Sequence, residues 1–170
     1  MAEPRSLAVL VAGLVLATGS IGCPYTFTGA SVPSHLKTIA IPLVEDQSGL
    51  GEPNLREQFT TTLTNLFIND NSLQIANQNT ADSMLEGVIL PVTDAPAVVQ
   101  PGEQVSKRRI TMSVRVVYQD MKLRRKVWEK TFSNWGDYDS GGGLSQRQAG
   151  IQEAVRKITE DILLDTVSGW

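Results

Sequence analysis

The chain has 170 residues, 41% of them hydrophobic and 19% charged, a balance that suits one globular domain with a sizeable core. Its net charge of −3 and pI near 5.2 exclude nucleic-acid binding through bulk charge, so any anion must be recognised by a local cluster of Lys and Arg. A single cysteine, Cys23, excludes an internal disulfide and leaves a thiol that needs a reason.

Residues 7–17 form an apolar run behind Arg5, followed by Thr18-Gly19-Ser20-Ile21-Gly22 and then Cys23. The run is short of the roughly 20 apolar residues of a spanning helix. Gly13, Gly19 and Gly22 weaken a buried core helix. A basic start, a short apolar stretch and small residues before a cut mark an export signal. Its end at Gly22-Cys23 matches a bacterial lipoprotein signal, with Ser20 standing where Leu is usual. The expectation is a signal peptide over residues 1–22, then Cys23 carrying S-diacylglycerol and an N-acyl chain such as palmitate, then a tether to residue 36. Each buried methylene contributes about 0.8 kcal/mol, so several chains make release very slow.

The folded domain is expected over residues 37–170. Residues 37–44 predict a first strand, with Ile39, Ile41 and Leu43 pointing one way and Pro42 marking an edge or an end. Residues 45–52 predict a loop. Pro53 opens a helix whose stripe is Leu55, Phe59, Leu63, Leu66 and Phe67, ending near residues 69–71. Residues 73–76 predict a short strand, and residues 84–92 a strand apolar on both faces and hence central. Residues 94–104, with Pro96, Pro101 and Gly102, predict a long hairpin loop.

Residues 109–120 alternate Ile110, Met112, Val114, Val116 and Tyr118 with polar partners, the clearest strand of the chain. After a turn over residues 121–126, a strand over 127–135 returns with Trp128 and Phe132 on one face. Lys130 falls between them on that face, against the pattern. Residues 138–144 predict a glycine-rich connection. Ser145 with Gln148 predicts a capping box, and Ile151, Val155, Ile158 and Ile162 mark the buried side of a second helix. The expected fold is α+β, a two-layer sandwich with a mixed sheet of about four strands and two helices on one face.

Catalytic chemistry finds little to stand on. His35 is the only histidine and lies in the tether, so no Ser-His-Asp arrangement forms within the domain, and a surface role is expected for it. No cluster has metal-ligand spacing. Gly141-Gly142-Gly143 precedes a helix but lacks the Lys and Ser/Thr of a nucleotide loop. The remaining candidates are two basic clusters: Lys107, Arg108 and Arg109, and Lys122, Arg124, Arg125 and Lys126. They occupy opposite ends of one strand, so they do not form a single patch. Either a charge-protected edge or a phosphate-binding tip with bidentate arginines accounts for them.

The order of motifs resembles the lipopolysaccharide-assembly lipoprotein family LptE. The resemblance is carried by Gly22-Cys23-Pro24-Tyr25-Thr26-Phe27-Thr28-Gly29, by His35-Leu36-Lys37-Thr38-Ile39-Ala40-Ile41-Pro42, and by Ala81-Asp82-Ser83-Met84-Leu85-Glu86-Gly87. It continues into the paired strands around residues 114–118 and Val127-Trp128-Glu129. It implies a non-enzymatic, lipid-anchored protein on the periplasmic face of the outer membrane, without cofactor and without nucleic acid. Such a protein would assist assembly of, and plug, an LptD-like β-barrel and help insert lipopolysaccharide into the outer leaflet. Both basic clusters are then candidates for the lipopolysaccharide phosphates. The alternative is an envelope secretion or scaffold lipoprotein of the CsgG or TolB N-terminal type, acting by protein–protein interaction.

Overall fold

A computed structural model describes residues 32–97 and 107–168. Seven strands form one mixed sheet: β1 Thr38–Ala40, β2 Glu45–Asp46, β3 Gln74–Ile75, β4 Ser83–Ile89, β5 Thr93–Pro96, β6 Lys107–Asp120 and β7 Arg125–Asp139. Two helices accompany them, α1 Leu55–Asp70 and α2 Gly143–Ser168. The α+β class and the two helices are as the sequence predicts; the count of about four strands is too low.

Prolines account for much of the difference. A proline offers no amide to a ladder, so a strand ends or restarts there. The expected strand over residues 37–44 is cut short before Pro42, leaving β1, and pairing resumes only at β2 beyond it; both are parallel to β4 on the same edge. Glu45 and Asp46, expected in a loop, therefore pair with Val88 and Ile89. Pro91 likewise separates β4 from β5, and the two follow one another along a single edge of β6. The seven strands thus occupy five lanes: β3, then β1 with β2, then β4 with β5, then β6, then β7.

The β6–β7 hairpin is the spine. The two strands stay paired from Lys107 opposite Asp139 to Asp120 opposite Arg125, with one register shift beside Tyr118 and Gln119. Both strands are longer than their apolar alternation indicates, because backbone pairing continues through the charged residues at either end. The expected connection over residues 138–144 begins only after Asp139, and the turn is reduced to residues 121–124. In the expected hairpin loop, residues 94–96 are strand; residues 98–106 lie outside the described residues.

One face of the sheet carries the core. Ile110, Met112, Val114, Val116 and Tyr118 are fully buried together with Leu85 and Ile89 of β4. The helical stripes close over them: Leu55, Phe59, Leu63 and Phe67 from α1, and Ile151, Val155, Ile158 and Ile162 from α2. Burial in β4 alternates, so this central strand has one buried face rather than two. Fully burying an aliphatic or Phe side chain contributes about 1.5–3 kcal/mol, so these stripes dominate the stability.

Local chemistry sets the helix ends. Pro53 lies before α1, not within it; Asn54 takes a left-handed backbone as the N-cap, and Asn71 closes the helix in the same conformation with its amide on Phe67 O. Thr60 and Thr62 return their hydroxyls to the carbonyls of Arg56 and Gln58, and Thr60 Oγ1 also accepts the Val44 amide at 3.1 Å. Thr60 of a weak helical sequence thereby ties α1 to the segment before β2. Ser145 does not form a capping box. A 3-10 turn at Ser140–Gly142 runs straight into α2 at Gly143, leaving Ser145 inside the helix with its hydroxyl on Gly142 O.

Candidate functional site

The alternation of β6 decides where each basic residue points. Even-numbered positions 110 to 118 face the core, so Arg108 and Asp120 continue that buried face while Lys107 and Arg109 turn to the other. The consequences differ at the two ends.

At the end holding Lys107, Arg108 is absorbed into a polar hub. Its Nε donates to Asp94 Oδ1 at 2.8 Å and to the Tyr138 hydroxyl at 3.1 Å, and its Nη2 to Asp94 O at 2.9 Å. Tyr138 donates to Asp94 Oδ2 at 2.9 Å, and Arg147 of α2 reaches both Asp94 and Glu52 at 3.3 Å. Burial would raise the Asp94 carboxyl; the bonds from Tyr138, Arg108 and Arg147 outweigh it and hold it low. Arg109 is also committed, making a bidentate pair with Asp137 at 2.6 and 2.8 Å and stacking 4.9 Å from the Trp135 ring. Lys107 is exposed and makes no ion pair among the described residues.

At the other end, the hairpin turn is clasped to the start of the domain. His35 Nε2 lies 2.7 Å from Oδ2 of Asp120, whose side chain is wholly buried. Asp120 Oδ1 accepts the Leu123 amide at 2.8 Å and so shapes the turn. Lys122 Nζ donates to His35 O at 2.8 Å and pairs with Asp82 Oδ1 at 2.9 Å. Asp82 accepts the amides of Lys37 and Thr38 on its other oxygen. The Lys122 ammonium and these amides outweigh burial and bring the Asp82 carboxyl down to about 2. Burial also opposes ionisation of Asp120, and the bonds from His35 and Leu123 again prevail to lower it.

The turn itself is exposed and irregular. Arg124 adopts a left-handed backbone with φ of 50°. Lys126 pairs with Glu129 at 2.7 Å, whereas Arg124 and Arg125 have no ion pair among the described residues. The first cluster opens β6 and the second lies in and just after the turn beyond its far end, roughly 40 Å of extended chain away, so the two form no single patch. Cys23 lies outside the described residues.

His35 is more than a surface residue. Its partner is 85 positions away in the chain, which no local pattern reveals. A signal did exist on the other side: Asp120 has the parity of the core residues of β6, an inward carboxylate in need of a donor. Lys130 is explained by the same parity. It faces α2, places Nζ 2.8 Å from both oxygens of Asp165, and lies 5.6 Å from the Trp128 ring.

The open face of the sheet holds a shallow cleft of about 500 Å³ lined by Leu43, Glu45, Glu86, Arg115 and Glu129 among others. Three carboxylates against one guanidinium make it a poor phosphate site. Among the described residues, no helix is long and apolar enough to cross a membrane.

The fold recurs in solved structures of low sequence identity. Protein XCC0632 from Xanthomonas campestris superposes with a TM-score of 0.60 at 12% identity, over 82% of this chain and 91% of that one. A minor lipoprotein from Acinetobacter baumannii gives 0.52 at 15% identity, over 81% and 94%. The PelC dodecamer from Paraburkholderia phytofirmans gives 0.51 at 15% identity, over 83% and 95%. At these identities the likeness is one of fold. No curated protein sequence matched the chain. A family model described as LptE, lipopolysaccharide-assembly, matches residues 36–166, nearly all of the domain from just after His35 to the last turn of α2. The chain belongs to the LptE lipopolysaccharide-assembly family.

Proposed function

We infer that this protein is an outer-membrane lipoprotein that assists assembly of, and plugs, an LptD-like β-barrel and helps insert lipopolysaccharide into the outer leaflet. It works without catalysis, held by acyl chains on Cys23 at the periplasmic face. The single observation that carries this reading is the family match over residues 36–166. The architecture is compatible with it. A two-layer domain packs its apolar stripes into one core on one side of the sheet, the compact body that a barrel lumen requires. The candidates for lipopolysaccharide phosphates remain the clusters Lys107, Arg108 and Arg109, and Lys122, Arg124, Arg125 and Lys126. Lys107, Arg124 and Arg125 are the members not already held by carboxylates among the described residues.

Affinity purification of the acylated protein from outer membranes tests the reading. A one-to-one complex with a large β-barrel is the expected product. A homo-oligomeric ring would overturn it in favour of a scaffold role. Cys23→Ala is expected to leave the chain unprocessed or released from membranes; fractionation unchanged from wild type would remove the anchor from the account.

A further inference from the structure

The hairpin turn between β6 and β7 combines three features. Met121 and Leu123 are apolar yet 37% and 57% exposed. Arg124 and Arg125 follow at once with no ion pair among the described residues. Lys122 and Asp120 fasten the turn to His35, which lies close to the start of the described residues and twelve positions after Cys23 in the sequence. An exposed Leu followed by two guanidinium groups that have no ion pair among the described residues can enter the boundary of a bilayer while the cations meet phosphates. A cleft of about 540 Å³ beside the turn, lined by Asn79, Thr80, Asp82, Asp120, Lys122 and Arg124 among others, gives a headgroup room. Its two carboxylates are already occupied by Lys122 and His35.

We propose that this turn is a second membrane contact: Leu123 inserts at the surface and Arg124 and Arg125 bind the phosphates of anionic phospholipids in the leaflet that carries the anchor. The contact sets the turn at the periplasmic mouth of the barrel, against the leaflet, and directs the Lys107 end of β6 into the lumen. Phosphate is also the chemistry of lipopolysaccharide, and the commitment here is to phospholipid. The orientation rests on acylation at Cys23; the lipid contact of the turn does not.

The test places an environment-sensitive fluorophore on Leu123→Cys in two full-length chains. One retains Cys23 and is reconstituted after processing. The other combines Leu123→Cys with Cys23→Ser, so that one thiol is labelled whatever the fate of Cys23. In both, emission is expected to shift to the blue and brighten severalfold on phosphatidylglycerol vesicles but not on phosphatidylcholine vesicles. Adding Arg124→Asn and Arg125→Gln should abolish the change; Asn is chosen because it accepts the left-handed backbone at that position. All three sites are exposed, and an unchanged circular dichroism spectrum verifies folding. Water-like emission on both vesicles, equal emission on both, or a response to lipopolysaccharide micelles alone would each overturn the proposal. Absence of acyl chains on the chain that retains Cys23, with the blue shift kept in the Cys23→Ser chain, would count against the anchor and for the turn.

Discussion

His35 Nε2 meets Asp120 Oδ2 at 2.7 Å, joining the entry of the domain to the far end of its longest hairpin. The carboxylate is fully buried and the imidazole about one-third exposed, so the imidazole both supplies a partner and covers the site. Removing it leaves a buried carboxylate with fewer donors.

His35→Ala is therefore expected to cost about 1–3 kcal/mol in urea unfolding, the penalty of an under-satisfied buried acceptor. Asp120→Asn should cost less than Asp120→Ala, because an amide oxygen can still accept the Leu123 amide. Equal stability of His35→Ala and wild type would show the clasp to be incidental.

Asp82 makes acid stability diagnostic. Its carboxyl sits at about 2, below the roughly 3.9 of an unfolded Asp. A depressed carboxylate contributes stability that is complete above its unfolded pKa and is lost as pH falls through the folded one. The window is thus about pH 5 down to about pH 2, and the shift corresponds to roughly 2–3 kcal/mol before screening at half-exposed Lys122 reduces it toward about 1. Thermal melts of Asp82→Asn should show a flatter loss of stability across that window than wild type.

Gly136 of β7 and Gly150 of α2 mark a close approach of strand and helix. A Cβ on Gly136 would stand 1.9 Å from Gly150 O, a backbone atom that a side-chain rotation cannot clear. Gly136→Ala is expected at or above the upper end of the usual overpacking range of about 1–3 kcal/mol. Gly150→Ala meets the Tyr138 ring at 3.3 Å and should cost less. The ratio of the two denaturation midpoints checks the assignment.

Lys130 and Asp165 present the contrasting case. Two 2.8 Å contacts join them, yet Lys130 is nearly half exposed. A double-mutant cycle on this pair should return a coupling under about 1 kcal/mol that shrinks with salt. Lys130→Met, which keeps apolar chain over Trp128, should be close to neutral.

Sequence order alone determined the elements whose apolar spacing repeats: the stripe from Leu55 to Phe67, the alternation from Ile110 to Tyr118 and the stripe from Ile151 to Ile162. Each is a one-dimensional pattern, and burial of one face is enough to make it visible. The family resemblance was legible for the same reason, as an order of local motifs along the chain. Proline placement was visible too, but not that β1 and β2, or β4 and β5, would line up on a shared edge, because pairing partners are chosen across the sheet.

Only the tertiary structure decided which charges are free. Arg108 and Arg109 sit beside Lys107 in the chain and look equivalent there, yet Asp94 and Asp137 engage them while Lys107 has no ion pair among the described residues. The Asp120 carboxylate found its imidazole across 85 residues, and Lys122 found Asp82. Ion pairing and satisfaction of buried polar groups depend on distance in space, and composition sets only the supply of partners.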